Sequence, residues 1–323
     1  MLTRRRLLQG FGAGVVSASF AVPQAMAASG KLSVVATTGM IADTARRIGG
    51  DLVEVRALMG PGVDPHAYRQ TRTDIVAMAK ADVVLWNGLF LEAQMEDVLG
   101  DIARRTSVVA VAEAVPEELR IAHDDYAERF DPHVWMDPGL WKLVAGAVAE
   151  ALSAGLPGGA EAFAANARAF TSEIDALAAY SDKALASVPE SARVLVTAHD
   201  AFNYFGRAYG FEVIGIQGIS TESEAGLNRM TELVDLLVSR KIASVFVESS
   251  VSDRSVRALI EGAAAKGWDV RVGGELYSDA MGAPGTYEGT YIGMIDHNVT
   301  VIAGGLGGVV PERGMSGKLS VGS

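Results

Sequence analysis

The sequence predicts an α/β protein of two lobes, each built on a parallel four-stranded sheet, with one long helix joining them. Three observations carry this expectation. Short β-branched runs alternate with Ala- and Leu-rich helical patterns, four strand candidates fall in each half, and an Ala-rich stretch free of Gly and Pro after Gly159 separates the halves. Strands that alternate with helices imply parallel sheets covered on both faces. A chain of 323 residues is long enough for two such domains.

Residues 1–27 read as a cleaved export signal: Arg4, Arg5 and Arg6, an uncharged run from Leu7 to Val22, then the small-residue step Ala25-Met26-Ala27. Thr3-Arg4-Arg5-Arg6-Leu7-Leu8 also resembles a twin-arginine motif. A transmembrane anchor would need about 20 apolar residues, and this run is shorter and rich in Gly and Ser. The first lobe is expected over 28–157, with strands at Leu32 to Thr37, Leu52 to Leu58, Asp82 to Trp86 and Ser107 to Val111. The linker is expected over 158–188. There Phe163, Phe170, Ile174, Leu177 and Leu185 recur at helical spacing, so Gly158 to Ser187 would form a rod of ~45 Å. The second lobe, 189–323, repeats the rhythm with Arg193 to Thr197, Glu212 to Ile216, Ala243 to Val247 and Asp269 to Val272.

Composition narrows the function. With 49% hydrophobic and 21% charged residues the chain is globular, and no later run is apolar enough to span a bilayer. Lys+Arg 28 against Asp+Glu 39 gives a net charge of −11, which disfavours nucleic acid as a partner and suits a protein that meets cations. Cysteine is absent. That excludes disulfides, thiolate metal sites, a cysteine nucleophile and a lipid-modified N-terminal cysteine.

The five histidines are His66, His123, His133, His199 and His297. His66 and His133 share one local frame, Asp64-Pro65-His66 and Asp131-Pro132-His133, between a strand and a helix. Proline fixes its own φ and biases the preceding residue toward extended geometry, so each Asp-Pro step holds its histidine in a set direction. Asp137-Pro138 then reads as an N-cap followed by proline at the first helical position. His199 closes the run Val194 to Ala198. All three lie where ligands gather in open parallel sheets, beyond the carboxyl ends of strands. Imidazoles converging with a carboxylate are a common shell for a divalent metal. The carboxylate is expected from the second lobe, from the stretch Glu275 to Ala280. Asp279 is the candidate, and by spacing alone Glu275 or Asp200 serves nearly as well.

Four stretches carry a resemblance across nearly the whole mature chain. Gly62-Val63-Asp64-Pro65-His66-Ala67-Tyr68, Asp131-Pro132-His133-Val134-Trp135-Met136-Asp137-Pro138, His199-Asp200-Ala201-Phe202-Asn203-Tyr204-Phe205 and Leu276-Tyr277-Ser278-Asp279-Ala280-Met281-Gly282 resemble signature segments of cluster A-I metal receptors. These are the TroA-like solute-binding proteins of zinc/manganese ABC transporters. The resemblance implies ligands His66 and His133 from the first lobe and His199 and Asp279 from the second, in the cleft between lobes bridged by a rather rigid helix. It further implies a periplasmic receptor, not an enzyme, that captures Zn2+ or Mn2+, with Fe2+ also open, for an ABC permease. A monomer is expected. Zinc-dedicated receptors often carry a His- and acid-rich loop before the second histidine, whereas Glu113 to Phe130 holds only His123. Manganese-dedicated receptors commonly place Glu where this chain has His199. Three imidazoles favour Zn2+ over Mn2+ in raw affinity, and availability and geometry can override that order.

The remaining marked residues have other readings. His123 lies among Asp124, Asp125 and Glu128 and is expected to be solvated. His297 is expected to face solvent or to cap. Glu248, after its strand, suits a carboxylate that orients a ligand imidazole from behind. Ser220 to Glu224 resembles a family loop near the lobe surface, and its alternative reading is a helix N-cap with acidic first-turn residues. Trp135 and Tyr204 are expected to pack the site dry. An exported zinc metallohydrolase using the same histidines is the alternative function, but no His-Glu-x-x-His helix or convincing base is present, and a fourth protein ligand would close the shell. A receptor for an organic solute would want more than 7% aromatic residues.

Overall fold

The computed structural model describes residues 30–123 and 129–320, so the expected leader lies outside them. The first half contains β1 (Leu32–Ala36), α1 (Gly39–Gly49), β2 (Val53–Ala57), α2 (Arg72–Lys80), β3 (Val83–Trp86), α3 (Glu96–Ile102), β4 (Ser107–Ala110) and α4 (Pro138–Gly155). Its four strands form one parallel sheet in the order β2-β1-β3-β4. The central strands β1 and β3 are apolar apart from Ser33 and largely buried, as cover on both faces requires, while the edge strand β2 exposes alternate residues and the edge strand β4 is only half covered. Side chains divide with the two-residue period of a strand. Val34, Ala36, Val83 and Leu85 join the large core with α1 and α4 residues, and Val35 and Val84 join a second cluster with Met78, Met95 and Leu99.

Local chemistry sets the helix ends. Thr71 and Asp74 form a reciprocal capping box on α2. Asp137 caps α4 by accepting Gly139 N–H at 2.7 Å, with Pro138 at the first helical position, as the sequence predicts. Between α1 and β2 the chain turns at Gly50, whose φ of 53° is left-handed, and a Cβ on Gly49 would meet Val53 at 2.3 Å.

The linker, α5 (Ala160–Ala186), runs 27 residues, about 40 Å, after a short 3-10 turn at Pro157–Gly159. Phe163, Phe170, Ile174, Leu177, Ala184 and Leu185 form its buried stripe, against α1 and α4. The second half follows with β5 (Val194–Thr197), α6 (Asn203–Tyr209), β6 (Glu212–Gly215), α7 (Leu227–Arg240), β7 (Ser244–Glu248), α8 (Arg254–Ala265), β8 (Arg271–Leu276) and α9 (Tyr291–Gly305). α9 packs against α5 as well, its Tyr291 meeting Phe170 of α5, Trp141 of α4 and Asp43 of α1.

Seven strands fall within a residue of where the sequence places them, β8 runs on from the expected Asp269 to Val272 as far as Leu276, and the second half differs in its ladder. β5 pairs only with β6, and β7 only with β8, both in parallel, so its four strands form two pairs and not one continuous sheet. β5 and β7 still run side by side. Just past the end of β5, the backbone N–H of His199 is taken by the Glu248 carboxylate and not by a ladder carbonyl. β8 also carries a bulge, where Val245 pairs with Val272 and Phe246 with Gly274. Gly273 is the extra residue, and a Cβ there would strike the Phe246 ring at 2.7 Å.

The largest hydrophobic cluster does not respect the division into halves. It runs from Leu32 and Val83 through Trp141, Phe163 and Phe170 to Phe246, Leu276 and Ile302. A smaller cluster around Val196, Leu233, Val245 and Leu259 belongs to the second half alone.

Candidate metal centre

Four side chains from four connections meet in the interior. His66 lies in the turn after β2, His133 at a 3-10 turn before α4, His199 two residues past β5 and Asp279 three residues past β8. They are 4%, 0%, 0% and 2% exposed. All four donor atoms lie within 4.8 Å of one another. His66 Nε2 is 3.3 Å from His133 Nε2 and 3.7 Å from Asp279 Oδ2, His133 Nε2 is 3.4 Å from Asp279 Oδ1, and His199 Nε2 is 3.2 Å from Asp279 Oδ2. Tetrahedral coordination with bonds of ~2.0–2.2 Å places donors about 3.3–3.6 Å apart. The donor set therefore has the spacing that one small divalent cation imposes.

The two Asp-Pro-His segments fold alike. Asp64 Oδ1 accepts the His66 N–H and Asp131 Oδ1 accepts the His133 N–H, each at 2.9 Å, so each aspartate closes a local turn that presents its histidine. Asp131 does more. The same oxygen lies 2.7 Å from His133 Nδ1, which makes Nδ1 the proton-bearing nitrogen and leaves Nε2 free to donate its lone pair. Glu248 does the same for His199, with Oε2 2.5 Å from Nδ1. Tyr204 buttresses Asp131 by donating to its carbonyl oxygen at 2.9 Å. The fully buried Trp135 ring sits 5.2 Å from that of His133 and excludes water, as expected.

The electrostatics are those of a site short of positive charge at its centre. Burial drives His66 down to about 3. Burial opposes protonation of His133 too, yet Asp131 and Asp279 carry it up to about 9. His199 is likewise held well above the usual histidine range, because Glu248 and Asp279 outweigh its burial. Burial would raise Asp279, but the facing His199 and His133 hold it well below the usual carboxylate range. Both Asp279 oxygens and His199 Nε2 are buried with no aligned hydrogen-bond partner. Orphaned atoms of this kind cost free energy unless something else satisfies them.

The structure brings together His66, His133, His199 and Asp279, with Glu248 behind His199. It leaves the other two carboxylate candidates aside: Glu275 is exposed, and Asp200 lies outside the cluster, its carboxyl raised to about 6 by burial. Three expectations are corrected. His123 is buried and not solvated, because the chain around it pairs back on itself: Ala122 bridges Phe130, and the His123 N–H reaches Arg129 O at 2.9 Å. It takes no part in the cluster. His297 is 2% exposed and neither faces solvent nor caps, for its Nε2 bonds the Glu275 carbonyl at 2.9 Å and its ring packs 4.7 Å from Tyr277. Nor do residues 220–224 cap α7, whose N-cap is Gly226; Thr221 instead donates to Asp64 Oδ2 at 2.6 Å. Asp131 as an orienting carboxylate was not singled out, although the repeated Asp-Pro-His segment held the signal.

Comparison with known proteins gives one answer. Residues 34–305 match the family described as ZnuA, Zinc-uptake complex component A periplasmic. The manganese-binding lipoprotein MntA of Bacillus subtilis is 48% identical over 300 residues, covering 91% of this chain and 98% of its own. The iron-binding protein YfeA of Yersinia pestis is 33% identical over 277 residues, covering 86% and 87%. The solved structure of the periplasmic zinc-binding protein TroA from Treponema pallidum superposes with a TM-score of 0.84 at 46% identity, covering 86% of this chain and 99% of that one. By the span of that match and the identity of these relatives, the chain belongs to the family of zinc-uptake complex component A, the metal-binding solute receptors of ABC transporters.

Proposed function

We propose that this protein is a periplasmic receptor that captures one divalent metal ion with His66, His133, His199 and Asp279 and hands it to the membrane permease of an ABC transporter. The observation that carries the reading is the convergence of buried donors: three Nε2 atoms and the Asp279 carboxylate face one another at the spacing of a tetrahedral shell, with His199 Nε2 and both Asp279 oxygens lacking a hydrogen-bond partner among the described residues. Glu248 and Asp131 stand behind two of the imidazoles as the carboxylates that fix ring orientation in metal sites. The names of MntA, TroA and YfeA attach manganese, zinc and iron to such receptors, and the same shell serves all three here. A shell of three imidazoles and one carboxylate holds Zn2+ more tightly than Mn2+ or Fe2+. The metallohydrolase alternative gains nothing, since four protein donors close the shell that a reacting water would need.

In this reading residues 1–27 direct export and are removed, 28–157 and 189–323 are the two lobes, and 158–188 joins them. No helix among the described residues is long and apolar enough to cross a membrane. Metal analysis and titration of the purified mature chain test the proposal. One high-affinity divalent ion per chain is expected, lost severely in His133→Ala and retained in His123→Ala. Equal losses in the two variants, or no metal uptake by the wild type, would overturn it.

A further inference from the structure

Asp279 differs from the two clamped imidazoles around it. Asp131 and Glu248 grip His133 and His199 by the ring nitrogen, whereas neither Asp279 oxygen has a hydrogen-bond partner. The direction of this carboxylate is therefore inherited from its backbone. That backbone is fastened at three consecutive residues to three different elements. At the end of β8, Leu276 O accepts from the Ser249 N–H at 3.0 Å. At the next residue, Tyr277 N–H donates to Asn298 Oδ1 at 2.9 Å and Tyr277 O accepts from Asn298 Nδ2 at 2.7 Å. Ser278 O then accepts from Trp135 Nε1 at 2.8 Å. Asn298 thus takes over where the ladder stops, pairing with one residue as a neighbouring strand would.

The placement of Asn298 is costly unless the pairing is used. It is 1% exposed, in the middle of a helix whose flanking turns hold Ile292, Ile295, Val299 and Ile302. A buried amide is stabilising only when its groups are satisfied, and here one backbone residue, two before Asp279, satisfies both sides. α9 is itself anchored away from the loop: the Tyr291 N–H at its start donates to Asp43 Oδ2 on α1 at 2.9 Å, and Thr300 meets Tyr180 of the linker at 3.1 Å.

We propose that Asn298 is a positioning residue for metal capture, which aims Asp279 at the three imidazoles and ties that aim, through α9, to α1 and the linker helix. The proposal rests on the metal-receptor reading above. A leucine, branched alike but bulkier, would leave Tyr277 N–H and C=O unpaired, and an aspartate would set a carboxylate against the Tyr277 carbonyl. In either case the carboxylate of Asp279 loses its fixed bearing while the three imidazoles keep theirs.

The test compares the mature wild type with Asn298→Asp, Asn298→Gln and a control on the same helix, Asp296→Asn, whose carboxylate accepts from the Met315 N–H and the Tyr287 and Thr300 hydroxyls and is none of the four clustered donors. Zn2+ dissociation constants, the visible bands of bound Co2+ and the melting of the metal-free protein are measured together. Expected are a Zn2+ affinity weakened about tenfold or more and altered Co2+ bands in whichever Asn298 variant folds, with neither change in Asp296→Asn at comparable melting temperature. Wild-type affinity and Co2+ bands in a folded Asn298 variant would overturn the proposal. So would equal affinity losses in the Asn298 and Asp296 variants, which would mark a purely structural role. A wild type that binds neither Zn2+ nor Co2+ would instead sink the metal reading on which it rests.

Discussion

Glu248 meets His199 twice: Oε1 accepts the backbone N–H at 2.9 Å and Oε2 lies 2.5 Å from Nδ1, so one carboxylate fixes both the position and the ring orientation of the histidine. Replacing Glu248 by glutamine keeps the shape and removes the charge. Glu248→Gln is expected to weaken Zn2+ binding roughly 10- to 100-fold, read by competition with a chromophoric chelator. Undiminished affinity would show that the ring is oriented by packing alone.

Metal uptake should release protons. His133, at about 9, and His199, held well above the usual range, carry protons at pH 7 in the metal-free protein, while His66, at about 3, carries none. Only neutral imidazoles coordinate, so binding at pH 7 expels about two protons and affinity climbs with pH toward 9. Calorimetry in buffers of different ionisation enthalpy reads that number directly. Heats that do not depend on the buffer would contradict it.

The same two histidines give the metal-free protein a pH signature of the opposite sign. A folded pKa raised above the unfolded value of about 6.5 contributes stability that is fully present below pH 6.5 and lost as pH rises through the folded pKa. Between pH 7 and 9.5 the metal-free melting temperature is therefore expected to fall, through His133 and His199, while metal binding strengthens. A flat profile over that interval would mean that neither imidazole is protonated in the folded state.

Metal preference should turn on His199. A carboxylate in its place is a harder donor and adds negative charge to a shell whose one carboxylate is Asp279. His199→Glu is expected to move the Zn2+/Mn2+ ratio of dissociation constants toward Mn2+, measured in one buffer at one pH, even if Zn2+ stays tighter. Movement toward Zn2+ would place His199 outside the shell.

Phe170 is 1% exposed on the linker, edge-on to Tyr291 of α9 and beneath the Arg47 guanidinium. Its removal leaves a cavity where α1, α5 and α9 meet. Phe170→Ala is expected to cost about 3–5 kcal/mol in denaturant unfolding. A loss under 1 kcal/mol would show that the neighbours collapse into the gap.

Much of this was legible because it is local. Strand runs, the Asp137-Pro138 cap, the Asp-Pro-His turns and the linker stripe are each set within a few residues, and the four signature stretches brought His66, His133, His199 and Asp279 together in advance. What was missed depends on partners far along the chain. His297 reads as a surface histidine until Glu275 and Tyr277 close over it, and three successive polar residues, Asp296 to Asn298, give no hint that all are buried. The bulge of β8 has a local cause in Gly273-Gly274, a pair that weakens a strand, but the split between β5 and β7 has none. Nothing in the sequence says that β5 and β7 lie side by side without a ladder.

The large hydrophobic cluster that passes from Val83 through Phe170 to Phe246 and Ile302 means that the two halves share their main interior, although each keeps a smaller cluster of its own. A fragment ending within α5 would present to water the apolar side chains that α9 now covers, and the complementary fragment would lose the α1 and α4 faces that seat Tyr291. The two halves are thus expected to melt as a single cooperative body, in one unfolding transition that different probes follow alike.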